Sequence, residues 1–144
     1  MNTGKTLRDN LEDFKIKLKI SALWISVMLC YLYGDYFELY VPKKTAGLVN
    51  GENLLNSPQK LLMAAVLLSI PSLMVCLSLV LKPQTSRFLN FICGFLFTGI
   101  MLFIASTSLV PWKTFYVFLA IVESAITTMI IFYAWKWPKQ DLNI

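Results

Sequence analysis

The chain of 144 residues contains no histidine. That absence removes the commonest metal ligand, the usual general base and the Ser/His nucleophile pair together. Its three cysteines, Cys30, Cys76 and Cys93, are isolated, and without a C-x-x-C spacing they give no support to a thiol redox site. They read as free thiols packed among helices. Charge is scarce too, since 15% of the residues are Asp, Glu, Lys or Arg against about a quarter in soluble domains. No metal site and no cofactor is expected from this residue set.

What is present is apolar. Hydrophobic residues make up 57% of the chain and the mean hydropathy is +0.64. Four runs of about 20 residues are each long enough to cross a ~30 Å hydrocarbon core. The reading is an all-α polytopic membrane protein, an antiparallel bundle of four transmembrane helices with spans at 20–39, 60–81, 88–108 and 115–135. The connections at 82–87 and 109–113 are short, which forces the spans they join to run antiparallel. Ser57 and Pro58 form a good N-cap and N1 pair for the second helix.

Ahead of the first span, Leu7, Leu11, Phe14 and Leu18 recur at helical spacing, and Thr6 with Asp9 suggests a capping box. Residues 1–19 are therefore expected as a short amphipathic cytoplasmic helix, lying at the interface or continuing the first span. The apolar run that follows is full length and lacks a small-residue cleavage site, so it reads as an uncleaved span.

The net charge of +5 raises the question of nucleic acid, but the cations flank spans instead of forming a patch interleaved with aromatics. Membrane lipids are the expected partners and nucleic acid is not. An even number of crossings puts Lys5, Arg8, Lys15, Lys17, Lys19, Lys82, Arg87, Lys136 and Lys139 on one side. Lys43, Lys44, Lys60 and Lys113 fall on the other. The positive-inside rule then places both termini, including a tail at 136–144, in the cytoplasm of a multi-pass cell-membrane protein. Trp24, Trp112, Trp135 and Trp137 lie near span ends, where an aromatic belt is expected.

Each later span carries small or polar residues at helical spacing. They are Ala65, Ser69, Ser72 and Cys76 on the second, Asn90, Gly94, Thr98, Met101, Ala105 and Ser108 on the third, and Ala120, Glu123 and Thr127 on the fourth. Such stripes let membrane helices approach closely, so packing is their first explanation. Glu123 asks for more, because an acid at the centre of a span costs about 2.5–3.5 kcal/mol and is a functional hypothesis by default. Tyr31 and Ser69 fall at a matching depth, and Tyr31, Asp35 and Glu38 form a ladder up one side of the first helix. If these faces converge, a polar pocket opens outward, with Glu123 resting as a neutral acid hydrogen-bonded to Tyr31 or Ser69. Pro71 is expected to kink the second span beside it.

The stretches "KLKISALWISVMLCYLYGDYFEL", "SPQKLLMAAVLLSIPSLMVCLSLVL", "RFLNFICG" and "IVESAITTMIIFYAWKWP" resemble a family of small bacterial four-helix integral membrane proteins of unknown function. The resemblance runs from Lys17 to Pro138. Tyr33, Asp35, Arg87, Asn90 and Glu123 match its polar marks, and Ser69 stands where its pattern has an acid. The topology is also similar to DoxX-like four-helix proteins. What the resemblance implies is a bundle in a bacterial inner membrane; it supplies no activity.

The ligand-binding candidates are therefore Glu123, Asp35, Tyr31, Ser69, Glu38 and Asn90. The leading reading is binding or transport of a small amphiphile or protons. One alternative is a non-catalytic accessory or assembly subunit of a membrane complex, packed against a second copy or a membrane partner protein. Another is an intramembrane enzyme on a lipid-like substrate, with Glu123 and Asp35 as acid and base.

Overall fold

The computed structural model describes residues 3–138, and all regular structure among them is helical. The helices are α1 (Thr3–Glu38), α2 (Lys44–Val49), α3 (Pro58–Val80), α4 (Pro83–Thr107) and α5 (Thr114–Lys136), with a 3-10 turn at Pro111–Lys113 ahead of the last. Four segments are long and apolar enough to cross a membrane: Asn10–Glu38, Pro58–Val80, Pro83–Thr107 and Pro111–Lys136. The architecture is an all-α bundle of four such helices.

With 36 residues, α1 is far longer than a membrane crossing requires. The amphipathic segment is thus the first part of the same helix. The capping box expected at Thr6 and Asp9 involves side chains outside the described ones, and residues 139–144 of the expected tail lie outside the described residues.

Local chemistry sets the helix ends. α3 starts where the Ser57–Pro58 pair predicts, and Ser57 Oγ accepts from the Lys60 N–H at 3.3 Å. Its far end turns into α4 through two residues, Leu81 and Lys82, with Pro83 opening α4. Lys17 Nζ donates to the carbonyls of Leu81 at 2.6 Å and Leu79 at 3.2 Å, so α1 satisfies acceptors that the end of α3 leaves free. The α1–α3 connection contains α2, which the sequence pattern does not predict. The chain enters α2 through Lys43 at φ 66°, a left-handed position held by a residue other than glycine.

Around the bundle the order is α3, α1, α5, α4. The α4–α5 hairpin packs most closely, α1 lies between α3 and α5, and α3 approaches α4 least. Glycine explains the hairpin. A Cβ at Gly94 would lie 2.7 Å from Ile131 Cγ1, so a side chain there would displace Ile131 or push α5 away. One turn on, the hydroxyls of Thr98 and Thr127 share a 2.6 Å hydrogen bond across the same seam.

The stripes expected on α4 and α5 face the interior, with Asn90, Gly94, Met101, Ala120, Glu123 and Thr127 all buried. The stripe expected on α3 does not. Ala65, Ser69, Ser72 and Cys76 are exposed, and α3 packs through Pro71, Met74 and Ser78. The rotation follows from that packing, and exposure costs Ser69 little, because its hydroxyl donates to the Val66 carbonyl of its own helix at 2.7 Å. Pro71 is buried, and the kink expected there does not interrupt α3, which stays helical on both sides.

The core is Ile20, Trp24, Val27, Met74, Phe97, Ile130 and Trp137. Two tryptophans expected in the belt are therefore interior. Trp24 lies well inside a span that starts at Asn10, and Trp137 Nε1 donates to Asp13 Oδ1 at 2.8 Å. Trp112 and Trp135 are exposed, as belt residues are. All three cysteines are free; Cys76 is exposed, whereas Cys30 and Cys93 are partly buried.

Candidate ligand cavity

A cavity of ≈ 220 Å³ lies between all four long helices, in the half of the bundle that carries the α1–α3 connection. Below its lining, a cluster of buried polar groups satisfies itself. Asn90 Oδ1 accepts from Trp24 Nε1 at 2.7 Å and from Ser78 Oγ at 3.0 Å, while Nδ2 donates to the Ser86 carbonyl at 2.8 Å and to Ser86 Oγ at 3.2 Å. Ser86 Oγ in turn donates to the Ser78 carbonyl at 3.2 Å. This buried network ties α1, α3 and α4 together below the cavity, and Phe97 packs edge-on against Trp24 above it. The network also takes Asn90 out of the candidate ligand set, since both ends of its amide are already engaged.

The walls are mostly apolar. α1 contributes Cys30, Tyr31, Gly34 and Asp35; α3 contributes Ala64, Leu67 and Leu68. Phe97, Ile100, Met101 and Ile104 come from α4, and Tyr116, Leu119, Ala120 and Glu123 from α5. On α5 the spacing explains the set. Tyr116, Ala120 and Glu123 fall at i, i+4 and i+7 and so share one face. On α1, a Cβ added at Gly34 would sit in ordinary van der Waals contact with Leu119 and Tyr116, at 3.6 and 3.7 Å, so α1 runs close beside α5 at this height.

Three of the six candidates from the sequence, Tyr31, Asp35 and Glu123, line the cavity. Ser69 lies on the outer face of α3. Glu38 stands beyond the lining, where its carboxylate accepts from Lys44 Nζ at 2.6 Å in an ion pair that joins the end of α1 to the start of α2. Sequence reasoning passed over Tyr116 and Cys30. For Tyr116 the signal was available, seven residues before Glu123 on the same face.

The hydrogen bonds expected for Glu123 are not formed. Glu123 is 3% exposed, yet among the described residues no donor reaches its carboxyl. The Tyr31 hydroxyl is buried with no hydrogen-bond partner. The reason is the cavity itself, which both side chains line from different helices and which stands where the expected partners would have met. Buried polar groups are nearly always paired, so two unpaired ones facing a common space call for an explanation. Among the described residues there is no group of three His, Cys, Asp or Glu side chains that could hold a metal ion.

Four apolar helices around an interior cavity define a multi-pass α-helical membrane protein. A family model described as "Family of unknown function (DUF6326)" matches residues 11–144, so the chain belongs to that family. No curated protein and no solved structure matches the chain.

Proposed function

We propose that the protein binds a small amphiphile with a cationic head, using Glu123 as counter-charge and Tyr31 as a second polar contact. The observation that carries this reading is that the Tyr31 hydroxyl, buried and unpartnered, and the Glu123 carboxyl, which no donor reaches among the described residues, line one mostly apolar cavity. A carboxyl held in apolar surroundings gains most from a ligand that brings both a charge and hydrogen-bond donors. The ≈ 220 Å³ volume suits a group somewhat larger than benzene, which fills a cavity of about 150 Å³. Proton exchange at Glu123 would accompany binding if the acid is neutral at rest, which makes proton-coupled transport an extension of this reading.

The orientation that goes with it has both termini in the cytoplasm of a bacterial cell membrane, and the cavity nearer the outer surface. Nine cations against four support that orientation. The acid/base alternative would use Asp35 beside Glu123, since both line the cavity. Binding requires fewer groups and is preferred. An assembly subunit would use the outward stripe of α3, but Ser69 already satisfies its own hydroxyl.

The test is the melting temperature of the detergent-solubilised protein with n-hexylammonium and with n-hexanol. The amine should raise it and the alcohol should not, and Glu123→Gln should abolish the difference. Equal shifts from both compounds in both proteins would reduce the site to a greasy void.

A further inference from the structure

Resting on the binding reading, we infer that the cavity opens sideways into the membrane between α3 and α4, so that its ligand is a single-chain amphiphile whose tail extends into the bilayer. The seams of the bundle differ in how they are closed. α4 and α5 are locked by the Gly94–Ile131 approach and the Thr98–Thr127 hydrogen bond. α1 and α5 run close together at cavity height, where a Cβ added at Gly34 would touch Leu119 and Tyr116. α1 and α3 are joined below the cavity through Ser21 Oγ, which donates to the Val75 carbonyl at 2.9 Å, and through Lys17 at the turn, and they pack more closely than α3 and α4 do. Between α3 and α4 the hydrogen bonds are those of Ser78, Ser86 and Asn90, all near the turn that joins the two helices. Above that level these two helices, which approach each other least of any neighbours in the bundle, have no hydrogen bond between them among the described residues.

The residues flanking that seam fit an alkyl chain. Leu67 and Leu68 on α3 and Ile100 and Ile104 on α4 all line the cavity. Leu67 is 39% and Leu68 38% exposed, so the same side chains reach the outer surface of the bundle. That surface is apolar around them: Met63, Val66, Leu102 and Phe103 are all exposed. A wall that is continuous from cavity to lipid-facing surface gives a tail a path without crossing a polar group. The polar groups are set apart from it, on α1 and α5, where Asp35, Tyr116, Tyr31 and Glu123 line the opposite side. The site is thus amphipathic across the bundle axis, apolar toward the α3–α4 seam and polar toward α1 and α5. An amphiphile fits it head inward and tail outward.

A chain-length series tests this. n-Butyl-, n-hexyl-, n-octyl- and n-dodecylammonium chloride would be titrated onto the full-length protein in phosphatidylcholine nanodiscs, with affinity referred to the amine concentration in the bilayer. An open seam gives affinities that stay level from hexyl to dodecyl, because the added methylenes remain in lipid. Leu67→Trp, which fills the seam, should weaken dodecylammonium at least about tenfold more than it weakens butylammonium. If butyl- and hexylammonium bind but octyl- and dodecylammonium are excluded, the cavity is enclosed and the lateral opening is wrong, with the binding site intact. If no member of the series binds, butylammonium included, the binding reading fails and the inference falls with it.

Discussion

The Tyr31 hydroxyl and the Glu123 carboxyl line one cavity from different helices, and neither has a hydrogen-bond partner among the described residues. Each faces the cavity without a protein partner, so its hydrogen-bonding capacity is left for whatever fills that space. On the binding reading proposed above, these groups serve a ligand and not the packing.

Removing the hydroxyl should therefore not destabilise the bundle. An unpaired buried polar group carries a desolvation penalty of about 1–3 kcal/mol, so Tyr31→Phe should leave stability unchanged or raise it. Unfolding in mixed micelles, followed by circular dichroism, measures the change. A loss of stability in Tyr31→Phe would mean that the hydroxyl has a partner in the folded protein.

The opposite holds for Asn90. Its amide accepts from Trp24 and Ser78 and donates to Ser86, so Asn90→Ala would orphan two buried donors at once. Single hydrogen bonds between membrane helices average about 0.6 kcal/mol, but buried groups left unpaired cost more, and a loss of about 1–3 kcal/mol is expected. The same unfolding experiment reads it. Asn90→Ala at wild-type stability would show that water or a rearranged neighbour replaces the amide.

Gly94 should behave as a contact of fixed size. An added Cβ meets Ile131 Cγ1 at 2.7 Å, so Gly94→Ala must separate α4 from α5 or displace Ile131. A cost of about 1–3 kcal/mol is expected for such overpacking. Combining it with Ile131→Ala removes the atom that clashes, and the double variant should be less destabilised than the sum of the two singles. Strict additivity would mean that α4 and α5 have room to move apart.

The tryptophans give an optical check on the packing. Trp24 and Trp137 are buried, whereas Trp112 and Trp135 are exposed on the outside of the bundle. Single-tryptophan variants in bilayers containing brominated lipid should be quenched strongly for Trp112 and Trp135 and weakly for the other two. Strong quenching of Trp24 would contradict its place beside Asn90.

How far the sequence alone reaches can be argued helix by helix. On α4 and α5 the stripes built on Gly94 and Glu123 stand out from large apolar neighbours, so the inward faces are legible. α3 has no such contrast. It is apolar or small at almost every position, so its rotation follows from packing by Pro71, Met74 and Ser78, and the stripe through Ser69 points the other way. Trp24 was misplaced because a long helix hides where its membrane crossing begins. That Asp35, Tyr31 and Glu123 line one space is legible because their depth and faces follow from helical geometry alone. The saturation of Asn90 is not, because its partners come from three separate segments.

The measurement that tests the account most directly is photolabelling with a diazirine-bearing alkylammonium probe, followed by mapping of the adducts on wild type and Glu123→Gln. The account predicts saturable adducts on the cavity lining, at Leu67, Leu68, Ile100 and Ile104, competed by n-hexylammonium and lost in Glu123→Gln. Adducts spread over lipid-facing residues such as Leu61, Leu62 and Phe103, equal in both proteins and insensitive to competitor, would contradict it.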